Sequence, residues 1–318
     1  MRLSNATMGD RLLLDLQRSY RRMATTQEQI STGKRVNRPS DDPLAAGTER
    51  LRTADLEGIK RSQDSVDGAN SWLTATESAL SSVQDVVSRA RELALQGANG
   101  ATDAASRNLI ANEIDQLIAS TKDAVNAKFG DTYIFSGTRS DTAPYGAATG
   151  DAYQGDTNAV VREAGPTATL QLNPPFVPVG ASPAGATQPL TGLSLLGGGT
   201  AAGDGRVLDT LETLAAHLRG GTAADIAALG TTDLQRLDAN QTALTQARAG
   251  VGAMMNRADA AQGRLQDLED LTKKGLDDLT GVDLAQAITD FTAQQSAYQA
   301  ALKVGSQIIQ PSLLDFIR

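Results

Sequence analysis

The stretch "SVDGANSWLTATESALSSVQDVVSRARELALQGANGA", residues 65–101, decides the fold. Within it Val66, Ala69, Leu73, Thr76, Leu80, Val83, Val87, Ala90 and Ala94 follow one another by threes and fours. That spacing lays one apolar stripe along one helix face, the coiled-coil pattern. "GANGATD" at 97–103 stops this helix and caps the next, expected over about residues 103–129. Upstream the helix reads back to Pro43, which suits a first helical turn. Its roughly 55 residues would span on the order of 80 Å, with Gly58 and Gly68 as soft points.

Three further seams repeat the spacing. Leu13, Leu16, Tyr20, Met23, Gln27 and Ile30 form one near the start. Leu237, Asn240, Leu244, Ala247, Val251, Met254, Ala258, Ala261, Leu265 and Leu268 form another. Ile288, Phe291, Gln295, Tyr298, Leu302 and Ile309 form the last. Alanine in the two middle seams lets helix axes approach the short end of the usual ~8–10 Å range.

From about residue 131 the texture changes. Seven of the ten prolines lie between Pro144 and Pro189, and "TYIFSG", "AVVREA" and "TATLQLN" read as short strands between turns. The expected fold class is mainly α with a β-rich insertion, an elongated coiled-coil rod with paired N- and C-terminal helices. The expected segments are an assembly helix and connector at 1–42, outgoing rod helices at 43–139 and a β-rich insertion domain at 140–204. Returning rod helices at 205–275 and a C-terminal assembly helix at 276–318 complete the chain.

Composition narrows the function. Only 3% of the 318 residues are aromatic while 40% are apolar, which fits thin helical bundles better than large compact cores. A net charge of -8 argues against a general nucleic-acid binder. Residues 1–61 hold 12 Lys and Arg against 8 Asp and Glu, a balance of +4, so the remainder carries -12. The absence of cysteine removes disulfides, thiolate metal sites and cysteine nucleophiles. The N-terminus "MRLSNATMGDRLLLDLQRSY" has no apolar core of a secretory signal, and no run of about 18 apolar residues exists to span a membrane.

The connector "GKRVNRPSDDPLAAG", residues 33–47, has the look of a damaged nucleotide site. A phosphate loop would need glycine at Glu28 and a hydroxyl residue at Arg35. Asp41 and Asp42, adjacent on a helix, would not face one metal. Helix-start chemistry explains them better: Ser40 or Asp42 caps, Pro43 opens the helix, and Gly33 ends the one before. His217, the single histidine, lies on "RVLDTLETLAAHLRG" with no nucleophile arrangement around it, and the glycines at 197–205 open no dinucleotide motif. A hydrolase housed in the β insertion is the enzyme alternative; it lacks a base there. No cofactor and no metal are expected.

Two amphipathic helices at opposite chain ends cannot bury their stripes alone. They can pair within one molecule, or pack with copies of themselves. A two-helix hairpin buries little apolar surface against an ordering cost of about 1–2 kcal/mol per residue, which favours ordering on assembly.

The motifs resemble the flagellin superfamily. "ISTGKRVNRPSDDPLAAG" closes the first helix as that superfamily does, and residues 65–101 are similar to its long helix and following loop. "RPSDDP", "YIFSGT", "YQGD" at 153–156 and the ending "SLLDFI" look like one branch, the hook–filament junction proteins of the hook-associated protein 3 type. A flagellin more usually reads Asn-Ser-Ala-Lys-Asp-Asp at the first motif. Pro311, inside what is usually a continuing helix, and Arg318 depart from the pattern.

The resemblance implies a non-catalytic structural adaptor of the bacterial flagellum, extracellular and exported without a cleaved signal peptide. It implies a ring of copies between a hook-side junction protein and flagellin, an export chaperone contacting residues 205–318, and no nucleic acid or membrane partner. A flagellin-like filament subunit is the near alternative. Leu13, Leu16, Tyr20, Met23 and Ile30 would face Ile288, Phe291, Tyr298, Leu302 and Ile309 in an inner tube. Arg89, Arg91 and Glu92 would touch neighbouring subunits, and Lys34, Arg35 and Arg38 are expected to meet acidic groups there.

Overall fold

The computed structural model describes residues 5–146, 152–165, 168–181 and 184–309; Pro311, "SLLDFI" and Arg318 lie outside them. The chain is mainly α-helical with a small β insertion. Its contacts divide it into two units, residues 1–58 with 267–318, and residues 59–266.

The order begins with α1 (Asn5–Thr32), α2 (Pro43–Ala98) and α3 (Ala104–Val125). The sequence signals at these junctions act as expected. Gly33 takes φ +68, a left-handed turn that side chains disfavour. Asp42 Oδ1 accepts from Ala45 N at 3.0 Å, so it is the N-cap of α2, with Pro43 first inside. Asp103 caps α3 by accepting from Ser106 N at 2.8 Å.

In the 59–266 unit every member of the first seam, Val66 through Ala94, is buried, and Leu73, Leu80, Val83, Ala90 and Ala94 are fully so. Their partner is α7 (Leu234–Thr280), whose Leu237, Leu244, Ala247, Val251, Ala258, Ala261 and Leu265 are buried in the same cluster. Polar pairs set the antiparallel direction. Asn70 reaches Asp259, Arg248 reaches Glu77 and Gln84, and Arg91 reaches Asp238. Asn240, inside the seam, donates to Gly205 O and Thr210 Oγ1 at 3.1 Å each, so its burial is satisfied. The amphipathic α5 (Val207–Gly220) shares this core. After it, α6 (Ala223–Ala228) enters α7 through a π-helical turn at Leu229–Asp233.

The insertion is less regular than its sequence. Among the described residues six strands of two or three residues form three antiparallel pairs: β1 (Lys128–Phe129) with β2 (Thr132–Tyr133), β3 (Val161–Glu163) with β4 (Thr169–Gln171), and β5 (Pro175–Phe176) with β6 (Gln188–Pro189). Two-stranded pieces are marginal alone. Their apolar residues Ile134, Phe135, Leu170, Leu172, Phe176 and Leu190 enter the cluster built on α2 and α7, together with the short α4 (Gly192–Leu196). "YIFSG" is a strand only at its first residue; Ile134 and Phe135 are buried in a loop.

Two separated motifs explain each other in this region. Tyr153 Oη lies 2.9 Å from both Phe135 O and Asp156 O, and Asp156 N donates to Ser136 O at 3.0 Å. Asp156 in turn accepts from Thr138 N and Asn158 N. "YIFSGT" and "YQGD" are therefore two halves of one interlocked turn. Burial pushes the Tyr153 phenol up to about 12. It pushes the Tyr145 phenol up too, where Oη donates toward Gly192 O and Gly197 O.

Candidate assembly interface

In the unit of residues 1–58 and 267–318, α1 lies against α8 (Leu284–Ile309). Their direction is antiparallel: Thr26 Oγ1 donates to Gln294 Oε1 at 3.3 Å, the Tyr20 and Tyr298 rings lie 6.3 Å apart, and Leu12 covers Gly305. The helices meet along Leu12, Leu16, Ser19, Met23, Thr26 and Ile30 on α1. On α8 the facing row is Ala287, Phe291, Gln294, Tyr298, Ala301 and Gly305. Both rows keep the three-four rhythm, but neither is the row of largest side chains. Small residues at Ser19, Thr26, Ala287 and Gly305 let the backbones approach.

This shifts the expected seams by one position at several points. Leu13, Ile288 and Leu302 do not pack between the helices and are 58%, 51% and 46% exposed; Tyr20, although its ring lies beside that of Tyr298, is 56% exposed. Leu16, Met23, Ile30, Phe291 and Tyr298 are half-buried, and the Ile309 side chain lies outside the described residues. The consequence is an open groove of about 490 Å³ beside the pair, lined by Leu13, Leu16, Gln17, Tyr20, Arg21, Tyr298 and Leu302. Periodicity that ranks positions by apolarity passes over Ser19 and Thr26, whereas close helix approach selects small residues; Leu12 is apolar and stands one position before the expected Leu13.

The connector is tied to the junction between α7 and α8. Arg35 N donates to Thr280 O at 2.7 Å and Val282 N to Gly33 O at 3.1 Å. Val36, Ala45 and Ala46 form a small buried cluster against Leu279. Asp283 opens α8 by accepting from Ala285 N and Gln286 N. The connector charges are largely spent within the chain: Lys34 pairs with Glu49 at 2.7 Å, Arg38 with Glu28 at 3.2 Å, and Arg35 with Asp42 at 3.6 Å. Asp41 Oδ2 accepts from Asn37 N and Arg38 N, fixing the loop ahead of the cap.

The other expected contact charges are also engaged. Arg89 pairs with Glu113 at 2.7 Å and Glu92 at 3.0 Å, which hold its guanidinium above the ordinary value. Arg91 pairs with Asp238 at 2.8 Å. All six residues, Lys34, Arg35, Arg38, Arg89, Arg91 and Glu92, thus have partners in their own chain. These pairs are partly or largely exposed, so solvent screens them and a neighbouring subunit could exchange them at little cost.

His217 is not a bare surface histidine. Its Nδ1 lies 2.7 Å from Oδ2 of Asp233, a fully buried carboxylate at the π-helical turn. The pair fastens α5 to the start of α7. Among the described residues no group of three or more His, Asp and Glu could hold a metal ion, and no helix is long and apolar enough to cross a membrane.

Comparison with known proteins agrees with this architecture. The model of the bacterial flagellin N-terminal helical region matches residues 4–140, and that of the C-terminal helical region matches 234–317. Flagellin FlaB2 of Treponema pallidum is 26% identical over 298 residues, 92% of this chain and 91% of that protein. Flagellar hook-associated protein 3 of Escherichia coli is 25% identical over 316 residues, 95% of each. A shorter match to the flagellar filament 41 kDa core protein of Borreliella burgdorferi, 36% identical over 95 residues, spans 30% of this chain and 28% of that protein. A flagellar hook-associated protein from Vibrio parahaemolyticus shares the fold, with a TM-score of 0.63 at 21% identity over 76% of this chain and 100% of that one. Because the two helical-region models flank the insertion and together take in more than half of its length, the chain belongs to the bacterial flagellin family.

Proposed function

We propose that this flagellar structural protein forms the junction layer between the hook side and the filament, and templates addition of filament subunits. One observation carries the assembly part of the reading. The paired terminal helices leave Leu13, Tyr20 and Leu302 about half exposed around an apolar groove, and Ile288 half exposed farther along the pair, a surface that a lone chain leaves wet. Covering such a stripe with neighbouring subunits is what the helix pair offers.

Identity alone does not separate junction from filament, since the full-length matches to a flagellin and to a hook-associated protein 3 are 26% and 25%. The junction reading is supported by "RPSDDP" and by the interlock of "YIFSGT" with "YQGD". Its partners would be copies of itself in a ring, the hook-side junction protein, flagellin and an export chaperone, and its place would be outside the cell. A tag on the chain, viewed on isolated flagella, tests this. A single point at the hook–filament joint is expected; a signal along the filament would replace the reading with a filament subunit. Growth of the purified protein alone into micrometre-long polymers would do the same.

A further inference from the structure

The turn between α2 and α3 carries a reactive pair that neither the packing nor the assembly face uses. Asn99 and Gly100 stand exposed at its tip. The turn is pinned on both sides of them. Asn99 N donates to Gln96 O at 3.3 Å, Thr102 N to Asn99 O at 3.0 Å, and Thr102 Oγ1 to Gln96 O at 2.9 Å. Arg107, a buried arginine of α3, donates from its guanidinium to Thr102 O. Between these anchors the Asn99 side chain folds forward, with Oδ1 accepting from Ala101 N at 3.1 Å. That bond reaches across Gly100 and brings Cγ of the side-chain amide to the side of the glycine nitrogen. Among the described residues the Gly100 N–H has no acceptor.

Aspartate precedes glycine at two other places, and both are held. Gly68 follows Asp67 inside α2, where the helix ladder takes the glycine N–H. Gly205 follows Asp204; its N–H donates to Asp209 Oδ2 at 2.9 Å, and the Asp204 carboxylate accepts from Gly198 N and Arg206 N. Of the three pairs, Asn99–Gly100 combines an exposed side chain with a glycine nitrogen that no acceptor holds. Nor does the fold demand glycine there. Its φ is not left-handed, and a Cβ would meet nothing within 4 Å.

We infer that Asn99 is a site of spontaneous modification, where the folded chain converts its own asparagine to aspartate and isoaspartate with age. Gly100 N gives up its proton to water or hydroxide and attacks Asn99 Cγ. The new N–Cγ bond closes a succinimide ring, the Cγ–Nδ2 bond breaks, and the amide nitrogen leaves as ammonia. Water then opens the ring. Addition at Cγ breaks the new bond and leaves aspartate. Addition at the main-chain carbonyl carbon breaks the original peptide bond and leaves isoaspartate, with the chain running through Cβ and Cγ. The balance is one water in and one ammonia out. Isoaspartate lengthens the main chain inside a turn fixed at Gln96 and Thr102, and either product sets a negative charge at the negative end of α2. Both changes loosen the α2–α3 turn.

The test ages the folded, full-length protein at mildly alkaline pH and digests it with trypsin. Cleavage after Arg91 and Arg107 releases residues 92–107, in which Asn99 is the single asparagine. Fragmentation of this peptide should show an amino group exchanged for a hydroxyl at Asn99, and isoaspartyl methyltransferase should label it, before the peptides holding Asn70 or Asn158 change. Gly100→Ala should slow the conversion about tenfold or more, because a Cβ crowds the attacking nitrogen without disturbing the turn. Hydrogen exchange at the Thr102 and Ser106 amides should quicken in the aged chain. A 92–107 peptide that stays unmodified in the folded chain, while the urea-unfolded chain converts, would show the fold shielding Asn99 and overturn the inference. Conversion of Gly100→Ala at the unaltered rate would overturn the route through Gly100 N, and unchanged exchange in the aged chain would overturn the loosening of the turn.

Discussion

Replacing Leu13 and Ile288 by glutamine separates assembly from folding. Glutamine keeps the helix propensity of α1 and α8, so the change is confined to the side-chain surface. Fully burying a leucine or isoleucine is worth about 1.5–3 kcal/mol. Leu13 is 58% exposed and Ile288 51% exposed in the single chain, so about half of that remains to be gained when a neighbour covers them. The isolated chain should therefore barely notice the substitutions. Assembly should lose about 0.7–1.5 kcal/mol at each site, roughly 1.5–3 kcal/mol together, or about 10- to 150-fold in apparent affinity.

The control sits in the other unit. Leu80 has no exposed surface, and Leu80→Ala should cost about 2–5 kcal/mol of stability, with a fall in Tm on the order of 10 °C. Thermal unfolding of the monomer and self-association by sedimentation give the two readouts. The Leu13→Gln, Ile288→Gln protein should melt with the unaltered chain but assemble poorly, whereas Leu80→Ala should melt early. If the glutamine variant unfolded as early as Leu80→Ala, the stripe would belong to the core of the single chain and the argument for an assembly face would fail. Unchanged assembly would refute it equally.

Two glycines in unlike surroundings should respond with opposite signs. A Cβ at Gly155 would stand 2.7 Å from Ser136 O and 2.5 Å from Tyr153 Cζ, so Gly155→Ala should destabilise by about 1–3 kcal/mol, read as an earlier thermal transition. A Cβ at Gly68 would meet nothing within 4 Å, so Gly68→Ala in the middle of α2 should stabilise by about 0.5–1 kcal/mol. Tyr153 is pushed up to about 12 and Tyr145 upward as well, both above the unfolded phenol value near 10. A group with a raised folded value contributes stability fully below the unfolded one and loses it as pH climbs through the folded one. Stability should thus hold to about pH 10 and fall between 10 and 12. Phenolate absorbance should show the Tyr145 and Tyr153 phenols ionising only above pH 10; ionisation of both near 10 would contradict the burial argument.

The seams of α2 and α7 were legible because their buried rows hold the apolar residues themselves, Leu73, Leu80, Leu237 and Leu244 among them. Caps at Gly33, Asp42 and the "GANGATD" turn were legible because each acts on its nearest neighbours in sequence. The row between α1 and α8 was displaced because its closest points are Ser19, Thr26, Ala287 and Gly305, residues that a search for apolar side chains passes over. Turn signals in the insertion are local and do not show that Leu172 and Leu190 join the same buried cluster as the helix seams. The bond between the connector and the α7–α8 junction joins positions some 245 residues apart and left no local trace.

That long-range bond gives "GKRVNRPSDDPLAAG" its purpose. Within this unit the chain passes from α1 to α2 and, on its return, from α7 to α8. Two such crossings left independent would let the α1–α8 pair slide, since its contact row is mostly small or half-buried side chains. Pairing Lys34 with Gly281, Arg35 N with Thr280 O and Val282 N with Gly33 O makes the crossings one short antiparallel clasp. Val36, Ala45 and Ala46 close it over Leu279, and Asp42 fixes the first turn of α2 beside it. The register of the exposed stripe is then set by the connector instead of by the weak seam between the helices. Its charges follow from the same requirement. Lys34 on Glu49, Arg35 on Asp42 and Arg38 on Glu28 hold the loop from three sides, which is why a stretch so rich in cations has few to offer a neighbour.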